Sequence, residues 1–595
     1  MGRLQAPVLH GRSRAAALCA FYGVLSALFC APLFTQPLAL GVNDWDQHLF
    51  YYGAVLKNVV EYGQMPYWNP WYCGGNVLWQ NPQIAILSPV YPLTAIVPLQ
   101  LAMKINILLH YWLGFVGMHL LVRRVLGVTF LPAVIYIATL VTASGAPAIH
   151  LRVGHSVFLP GFYLPWQLHF FFQAYRTGSW KYLFLSASTL ALMVFNGGTH
   201  ILPMSIAAIA MFSLCAAIAR RDWRPLAFAI VFGVAGLAYS APKLLPVVEF
   251  VSGDYFWDTR NPTEHPDRAT LDILEQTYLT PTQQVSARLP MQRHGWHEYG
   301  NYIGTGSALA IVFGLIWVIA RRSPSHHWFG VSLVVTTVFL FLLSLGEFAP
   351  YAPANLAHYL PLFSSFRIPS RYSIPFLQFA ALTLAFAFQS IVAHHGFPRV
   401  ARIAVAVAAL GASAHLMYTN QWNFRNVFTE APFDTSFQLM EGPRQIITLA
   451  NASPYTNGSP MLRALAEDRS FFSCYESLQL ARGAVADRPL VFDADGDRVG
   501  NVDFSPNVMT FSVTAGTADA RVLLNQNYAP GWSSDAGDIV PPPRTELGSV
   551  KIPGGTSGRY AFTFRPPGLV AGLLIFNVAL IATLLMWRRR SAPIF

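Results

Sequence analysis

Hydrophobic residues gather along this chain in twelve runs, at 15–35, 101–122, 128–149, 157–172, 182–195, 201–219, 225–241, 303–320, 328–346, 373–393, 403–418 and 569–587. An α-helix needs about 20 consecutive apolar residues to cross a bilayer, and most of these runs approach that length. The pattern predicts a mainly α, polytopic membrane protein with twelve spans. Four longer polar regions separate them: 36–100, 242–302, 347–372 and 419–568. The last is long enough for a domain of its own. Its end changes period, with short β-runs at 521–525, 550–552 and 560–564 divided by Pro-Gly, Pro-Pro-Pro and Gly-Gly turns, which predicts a small β-sandwich. The expected organisation is a transmembrane domain over 1–418 with its first polar loop at 36–100, a β-rich domain over 419–568, and a final helix and basic tail over 569–595.

Basic residues orient the spans. Arg3, Arg12 and Arg14; Arg123 and Arg124; Arg176 and Lys181; Arg220, Arg221 and Arg224; Arg321 and Arg322; Arg399 and Arg402; and Arg588, Arg589 and Arg590 all fall on one side of a twelve-span chain. By the positive-inside rule that side is the cytoplasm, which holds both termini and leaves the four polar regions outside. The first run is longer than a typical signal-peptide core and reads as a retained helix.

Composition agrees. Of 595 residues 54% are hydrophobic and only 11% charged, at a mean hydropathy of +0.40, whereas soluble domains carry about 25% charged residues. A soluble enzyme and a disordered chain are both excluded. The net charge of +11 would suggest nucleic acid in a soluble protein. Here the basic clusters hold 17 of the 39 Lys and Arg with one acid, Asp222, so the inner side is +16 and the remainder is −5. The charge reports topology, and no nucleic-acid partner is expected.

Five cysteines are too few for a disulfide framework: Cys19, Cys30 and Cys215 lie in apolar runs, and Cys73 and Cys474, which a bridge would join, read better as free thiols. No CxxC, HExxH or phosphate-loop motif occurs, so no metal or nucleotide site is expected from motifs.

Candidate chemistry begins where the first run ends, at Asn43-Asp44-Trp45-Asp46-Gln47-His48, followed by Tyr51, Tyr52 and Lys57. Two carboxylates beside an apolar helix end are partly desolvated, which strengthens a base. The alternative is a pair of interfacial acids, or an Asp N-cap for a helix over 47–62. Glu61-Tyr62-Gly63-Gln64-Met65-Pro66-Tyr67-Trp68-Asn69-Pro70 and Gln80-Asn81-Pro82 then form an aromatic, amide-rich loop of the kind that packs at headgroup depth.

Asp-Trp-Asp-Gln after the first span, Gly-Gln-Met-Pro-Tyr-Trp-Asn-Pro, Gly154-His155, His297-Glu298-Tyr299-Gly300-Asn301-Tyr302-Ile303-Gly304, Phe366-Arg367-Ile368-Pro369-Ser370-Arg371-Tyr372 and Tyr528-Ala529-Pro530-Gly531-Trp532 together resemble the YfhO-type bacterial membrane proteins, which belong with the GT-C glycosyltransferases. The resemblance implies a GT-C-like fold in the bacterial cytoplasmic membrane. It also implies a sugar donor linked to polyprenyl phosphate, an extracytoplasmic cell-envelope glycan, polymer or lipid as acceptor, and an acid in the first outer loop. Asp44 and Asp46 match that position as catalytic candidates, and the Trp45 spacer leaves open which is the base.

Displacing a lipid phosphate also needs donors for the departing group. Arg367 and Arg371, four residues apart before a span, can fork onto phosphate, or can snorkel beside headgroups. His155, Glu298, His200 and Lys57 are further donor-site candidates. Asn81 can bind sugar hydroxyls, although amide caps of loop turns are the simpler reading. The cofactor is open: paired Asp can hold Mg²⁺ or Mn²⁺, and no spacing demands it. The main rival function is a polyprenyl-lipid flippase or transporter. Against it, the spans carry few charges in their middles, and no internal repeat is visible. A third reading makes 419–568 a polymer-binding module on a passive anchor, for which twelve spans are excessive.

Overall fold

A computed structural model describes residues 11–258, 268–285, 295–321, 327–360, 363, 366, 368–433, 446–447, 458–471, 478–485 and 488–591. In chain order the helices are α1 (Gly11–Cys30), α2 (Trp45–Leu56), α3 (Leu99–Arg124), α4 (Leu131–Thr142), α5 (Gly145–Arg152), α6 (Leu164–Thr177), α7 (Trp180–Phe195), α8 (Ile201–Arg220), α9 (Arg224–Ser252), α10 (Leu271–Leu279), α11 (Thr305–Ala320), α12 (His327–Ser344), α13 (Pro353–His358), α14 (Ser373–His395), α15 (Arg399–Gln421), α16 (Pro460–Ala466) and α17 (Leu569–Met586). Among the described residues nine helical stretches are long and apolar enough to cross a membrane. The molecule is a multi-pass membrane protein, mainly α-helical, with a β-rich region before its last helix.

The twelve expected spans all fall on helical chain, with corrections. The α7 and α11 helices are apolar but shorter than a full span. The 157–172 run is a 3₁₀ turn (Ser156–Tyr163) that passes into α6. The 128–149 run is interrupted between α4 and α5. Basic helix ends do gather: Arg176 donates to Arg124 O, the Ser591 N–H donates to Gly178 O at 2.7 Å, and Lys181 lies over the Trp587 ring.

The polar region expected to start at Pro242 begins later, because α9 continues through Pro242 and Pro246 to Ser252. Proline interrupts a helix mainly by removing an N–H. Pro246 has no N–H for the carbonyl of Pro242, and the Trp79 indole N–H supplies the missing donor at 2.9 Å. The buried Lys243 ammonium returns the contact, donating to Trp79 O at 2.5 Å and to Asn81 O at 2.8 Å. The first polar loop is thereby fastened onto a membrane helix.

Two antiparallel sheets form the β-rich region. One has the order Val499–Ser505, Val508–Val513, Gly558–Phe564, Trp532–Ser534, and the other Leu547–Ile552, Ala520–Asn527, Val491–Asp493. The three β-runs expected from sequence lie within these strands. Met509, Phe511, Val522, Leu524, Val550, Phe562 and Phe564 make the shared core. Trp68 and Val77, from a small hairpin of the first polar loop, belong to that same core. Trp68 donates its backbone N–H to Asn507 Oδ1 and its indole N–H to Gln526 Oε1, each at 3.0 Å. The loop is thus held between the helical bundle and the β-rich region.

Cys73 is disulfide-bonded, which corrects the expectation of a free thiol there. Cys19, Cys30 and Cys215 are free, and Cys474 lies outside the described residues.

Trp79→Phe keeps the ring but removes the N–H that satisfies Pro242 O, and an unpaired buried carbonyl costs about 1–3 kcal/mol. The melting temperature of the purified protein should fall. Adding Pro246→Ala, which restores an intrahelical N–H, should recover most of the loss. A double variant no more stable than Trp79→Phe alone would contradict this account of the joint.

Candidate active site

After α1 the chain pairs Leu40–Gly41 with Phe428–Glu430 and turns at Asn43, whose φ is +56°. Asp44 then stands immediately before α2, its N–H bonded to Val153 O at 3.0 Å. Gly154, at φ +98°, lies against this turn so closely that a Cβ there would come within 2.4 Å of Trp45 N. Only glycine meets both conditions. This approach brings His155 Nε2 to 3.2 Å from Asp44 Oδ2, both side chains 14% exposed.

Around that pair a ring of polar and aromatic groups closes. His155 Nδ1 lies 3.0 Å from His150 Nδ1. Phe158 stacks on His150 at 4.0 Å between centroids and on His200 at 5.5 Å. Arg371 donates from Nη1 to His200 Nε2 at 2.8 Å, which fixes His200 with its remaining proton on Nδ1. The same guanidinium grips Glu298 through two bonds, Nε to Oε2 at 2.8 Å and Nη2 to Oε1 at 2.5 Å. His297 completes the ring, 3.8 Å from Glu298 Oε1 and with its ring 5.4 Å from that of His155. The starts of α8, α11 and α14 therefore converge on the start of α2.

The electrostatics follow from burial. Burial disfavours the charged Glu298 carboxylate, but the Arg371 charge and hydrogen bonds outweigh it and hold the carboxyl well below its usual range. Burial pushes His48 down to about 4, only partly offset by the Asp44 charge. It lowers His297 as well. The ring thus combines the Glu298–Arg371 ion pair with Asp44 and four imidazoles, and burial disfavours charging His150 and His297.

Of the residues expected from sequence, Asp44, His155, Glu298, Arg371 and His200 are brought together. Arg367 lies outside the described residues. Asp46 is placed differently: it is 2% exposed, and its two oxygens accept the Met461 and Leu462 N–H groups, each at 2.9 Å, at the start of α16. Helix N-termini present such unpaired donors. Lys57 is fully buried, 3.2 Å from Glu61 and 3.4 Å from Asp468, where it helps hold the far end of α16. Asn81 accepts the Gln83 N–H at 3.0 Å in a loop turn. His150, His297 and Phe158 carried no role in the sequence reading. His150 was hidden because it directly follows the apolar run that ends at 149, although its spacing to His155 was a usable signal.

With both Asp46 oxygens engaged by backbone, the geometry does not form an Asp44–Asp46 metal pair. His150, His155 and Glu298 do offer one ligand atom each, all within 4.8 Å of one another. Two imidazoles and a carboxylate suit zinc or manganese better than magnesium, and such an ion would compete with Arg371 for Glu298.

Fold and site together define a multi-pass membrane protein whose ionisable groups converge where three apolar helices begin. No protein-family model matches the sequence, and no curated protein matches it. Among solved structures, the arabinofuranosyltransferase AftD from Mycobacteria is similar at 16% identity and a TM-score of 0.47, over 81% of this chain and 33% of that one. The chain spans about a third of the length of that protein. The oligosaccharyltransferase AglB from Archaeoglobus fulgidus, solved with an inhibitory peptide and a dolichol-phosphate, is similar at 13% identity and a TM-score of 0.39, over 70% of this chain and 57% of that one. The apo oligosaccharyltransferase from Archaeoglobus fulgidus is similar at 13% identity and 0.42, over 78% and 65%.

Burial raises the Asp46 carboxyl to about 6, more than its two backbone N–H partners lower it. Its folded value exceeds the usual 3.9 or so, so its contribution to stability is full below about pH 4 and is lost as pH rises through 6. Asp46→Asn removes the titration. Wild-type stability relative to this variant, read by thermal unfolding, should therefore fall by about 1–3 kcal/mol between pH 4 and pH 7; a flat difference would contradict the buried carboxyl.

Proposed function

We propose that this protein is an integral-membrane glycosyltransferase of GT-C type, moving a sugar from a polyprenyl-phosphate donor to a cell-envelope acceptor on the extracytoplasmic face. The YfhO-type motif set supports the class, and so does the convergence of its Asp44, Gly154-His155, Glu298 and Arg371 elements in one cluster. The charge distribution supports the orientation, with the basic clusters cytoplasmic and the site outside. In this reading 1–418 forms the catalytic bundle, 419–568 the outer domain and 569–595 the last helix and cytoplasmic tail.

The observation that carries the reading is a carboxylate, Asp44, held by His155 on the same ring as a guanidinium already fixed by Glu298. Asp44 takes the proton from the acceptor hydroxyl as that oxygen bonds to the anomeric carbon. The bond from that carbon to the phosphate oxygen breaks, and its electron pair leaves with the polyprenyl phosphate. Arg371 receives the charge: its bonds to Glu298 and His200 use three of its five N–H donors. Glu298 and His200 fix the guanidinium plane, so little reorganisation accompanies the reaction. A cavity of about 510 Å³ between α4, α11, α14 and α15, reaching Tyr302 and His415, suits the apolar chain of the carrier.

Membranes containing the protein, incubated with a panel of radiolabelled polyprenyl-phosphate sugars, should transfer one of them. Asp44→Asn should reduce transfer by about 10²–10⁴-fold, the usual worth of a general base. Asp46→Asn should lose activity only in proportion to lost folded protein. Movement of carrier between leaflets without sugar transfer would instead make the protein a flippase.

A further inference from the structure

The α11 helix separates two apolar grooves. The first is the cavity of about 510 Å³ that meets it at Gly306, Ser307 and Ala310. The second, about 340 Å³, lies between α10, α11, α12 and α14 and meets it at Ala308, Ile311, Val312 and Leu315. At about 100° per residue these sets occupy distinct faces. Between them on the wheel stand Leu309, Phe313 and Ile316, each more than half exposed, the composition of a surface against lipid. Each groove therefore flanks the lipid-facing stripe on its own side.

Both grooves begin at the same place. Ile303 lines each of them, and it lies five residues beyond Glu298 in the strand-like segment bonded to Tyr278 O. From Ile303 to Leu315 the second groove runs roughly 18 Å, and the first follows α15 from Leu416 to Val405 for roughly 16 Å. Each is about one leaflet deep in a hydrocarbon core of about 30 Å. Two chains can thus descend from one membrane surface, side by side, with both headgroups near Ile303, five residues along the chain from Glu298.

Their rims differ in charge. The first groove carries Tyr302, whose hydroxyl is 2.8 Å from His415 Nε2; that bond uses one proton of the pair, and in either tautomer the other O–H or N–H can donate to a phosphate. The second carries Glu275, an exposed carboxylate on α10, which would repel one. We propose that the second groove seats an acyl chain of the acceptor, and that the acceptor is a glycolipid with an uncharged sugar headgroup. This rests on the transferase reading and names the acceptor class within it. Anchoring the acceptor beside the donor converts their encounter into a nearly intramolecular one, which lowers the entropic part of the barrier.

The test uses the full chain in nanodiscs with three diazirine-tailed probes: monoglucosyl diacylglycerol, polyprenyl phosphate and, as bulk lipid, phosphatidylglycerol. Crosslinks from the glycolipid should concentrate on α10, α11 and α12 at least fivefold over the bulk-lipid probe. Ala308→Trp, which fills the second groove, should reduce them about tenfold and leave polyprenyl-phosphate crosslinks unchanged. Ala409→Trp, in the first groove, should do the reverse. Glycolipid labelling no more concentrated than bulk lipid in the wild-type protein would overturn the proposal, independently of whether either variant folds. These readouts measure binding and survive failure of the transferase reading. Transfer to a water-soluble sugar at undiminished rate in Ala308→Trp would defeat the lipid acceptor while keeping the transferase.

Discussion

A carboxylate only 5% exposed to water persists as an ion only if something nearby carries the opposite charge and satisfies its oxygens, and the Glu298–Arg371 pair meets that condition. Its two partners come from segments 73 residues apart. Because the guanidinium also bonds His200, the pair fixes the relative positions of the starts of α8, α11 and α14. Phe158, stacked on His150 and His200, extends the constraint to the segment that carries His155 and, through it, Asp44. Removing either member of such a pair leaves the other uncompensated, so this interaction shapes the whole cluster.

A second set of buried charges decides what the two first-loop acids do. Asp46 caps the start of α16, and Lys57 reaches Asp468 beyond its end, where the Trp71 indole N–H also bonds Asp468 Oδ1 at 2.7 Å. One face of α2 is thus committed to holding the segment that leads into the β-rich region. Asp44, one residue before the helix, faces the ring instead. The division of labour follows from helix geometry: residues two apart at a helix start point in different directions.

Much of this was legible in the sequence. Runs near twenty residues long gave the helices, and the Pro-Gly and Gly-Gly punctuation gave the strands around Leu523, Val550 and Phe562. Asp44, His155, Glu298, Arg371 and His200 were visible as polar residues at helix ends. Three things were not. The end of α9 was hidden because prolines signal a stop, and a donor 163 residues away, the Trp79 indole, replaces the hydrogen bond that Pro246 does not make. The role of Asp46 depends on a helix start 415 residues later. His150 lay one residue past an apolar run, where periodicity reads membrane and says nothing about an imidazole that turns toward the ring.

In the proposed reaction the chemistry lies on a single cluster beside the loop held by the β-rich region. The most direct measurement is an electron cryo-microscopy reconstruction of the protein in nanodiscs with polyprenyl monophosphate. The phosphate should lie within hydrogen-bond distance, about 3 Å, of Arg371, with Asp44 facing the same space and the isoprenoid entering beside Tyr302 and His415. Phosphate density elsewhere in the bundle, with Arg371 contacting only Glu298 and His200, would contradict it.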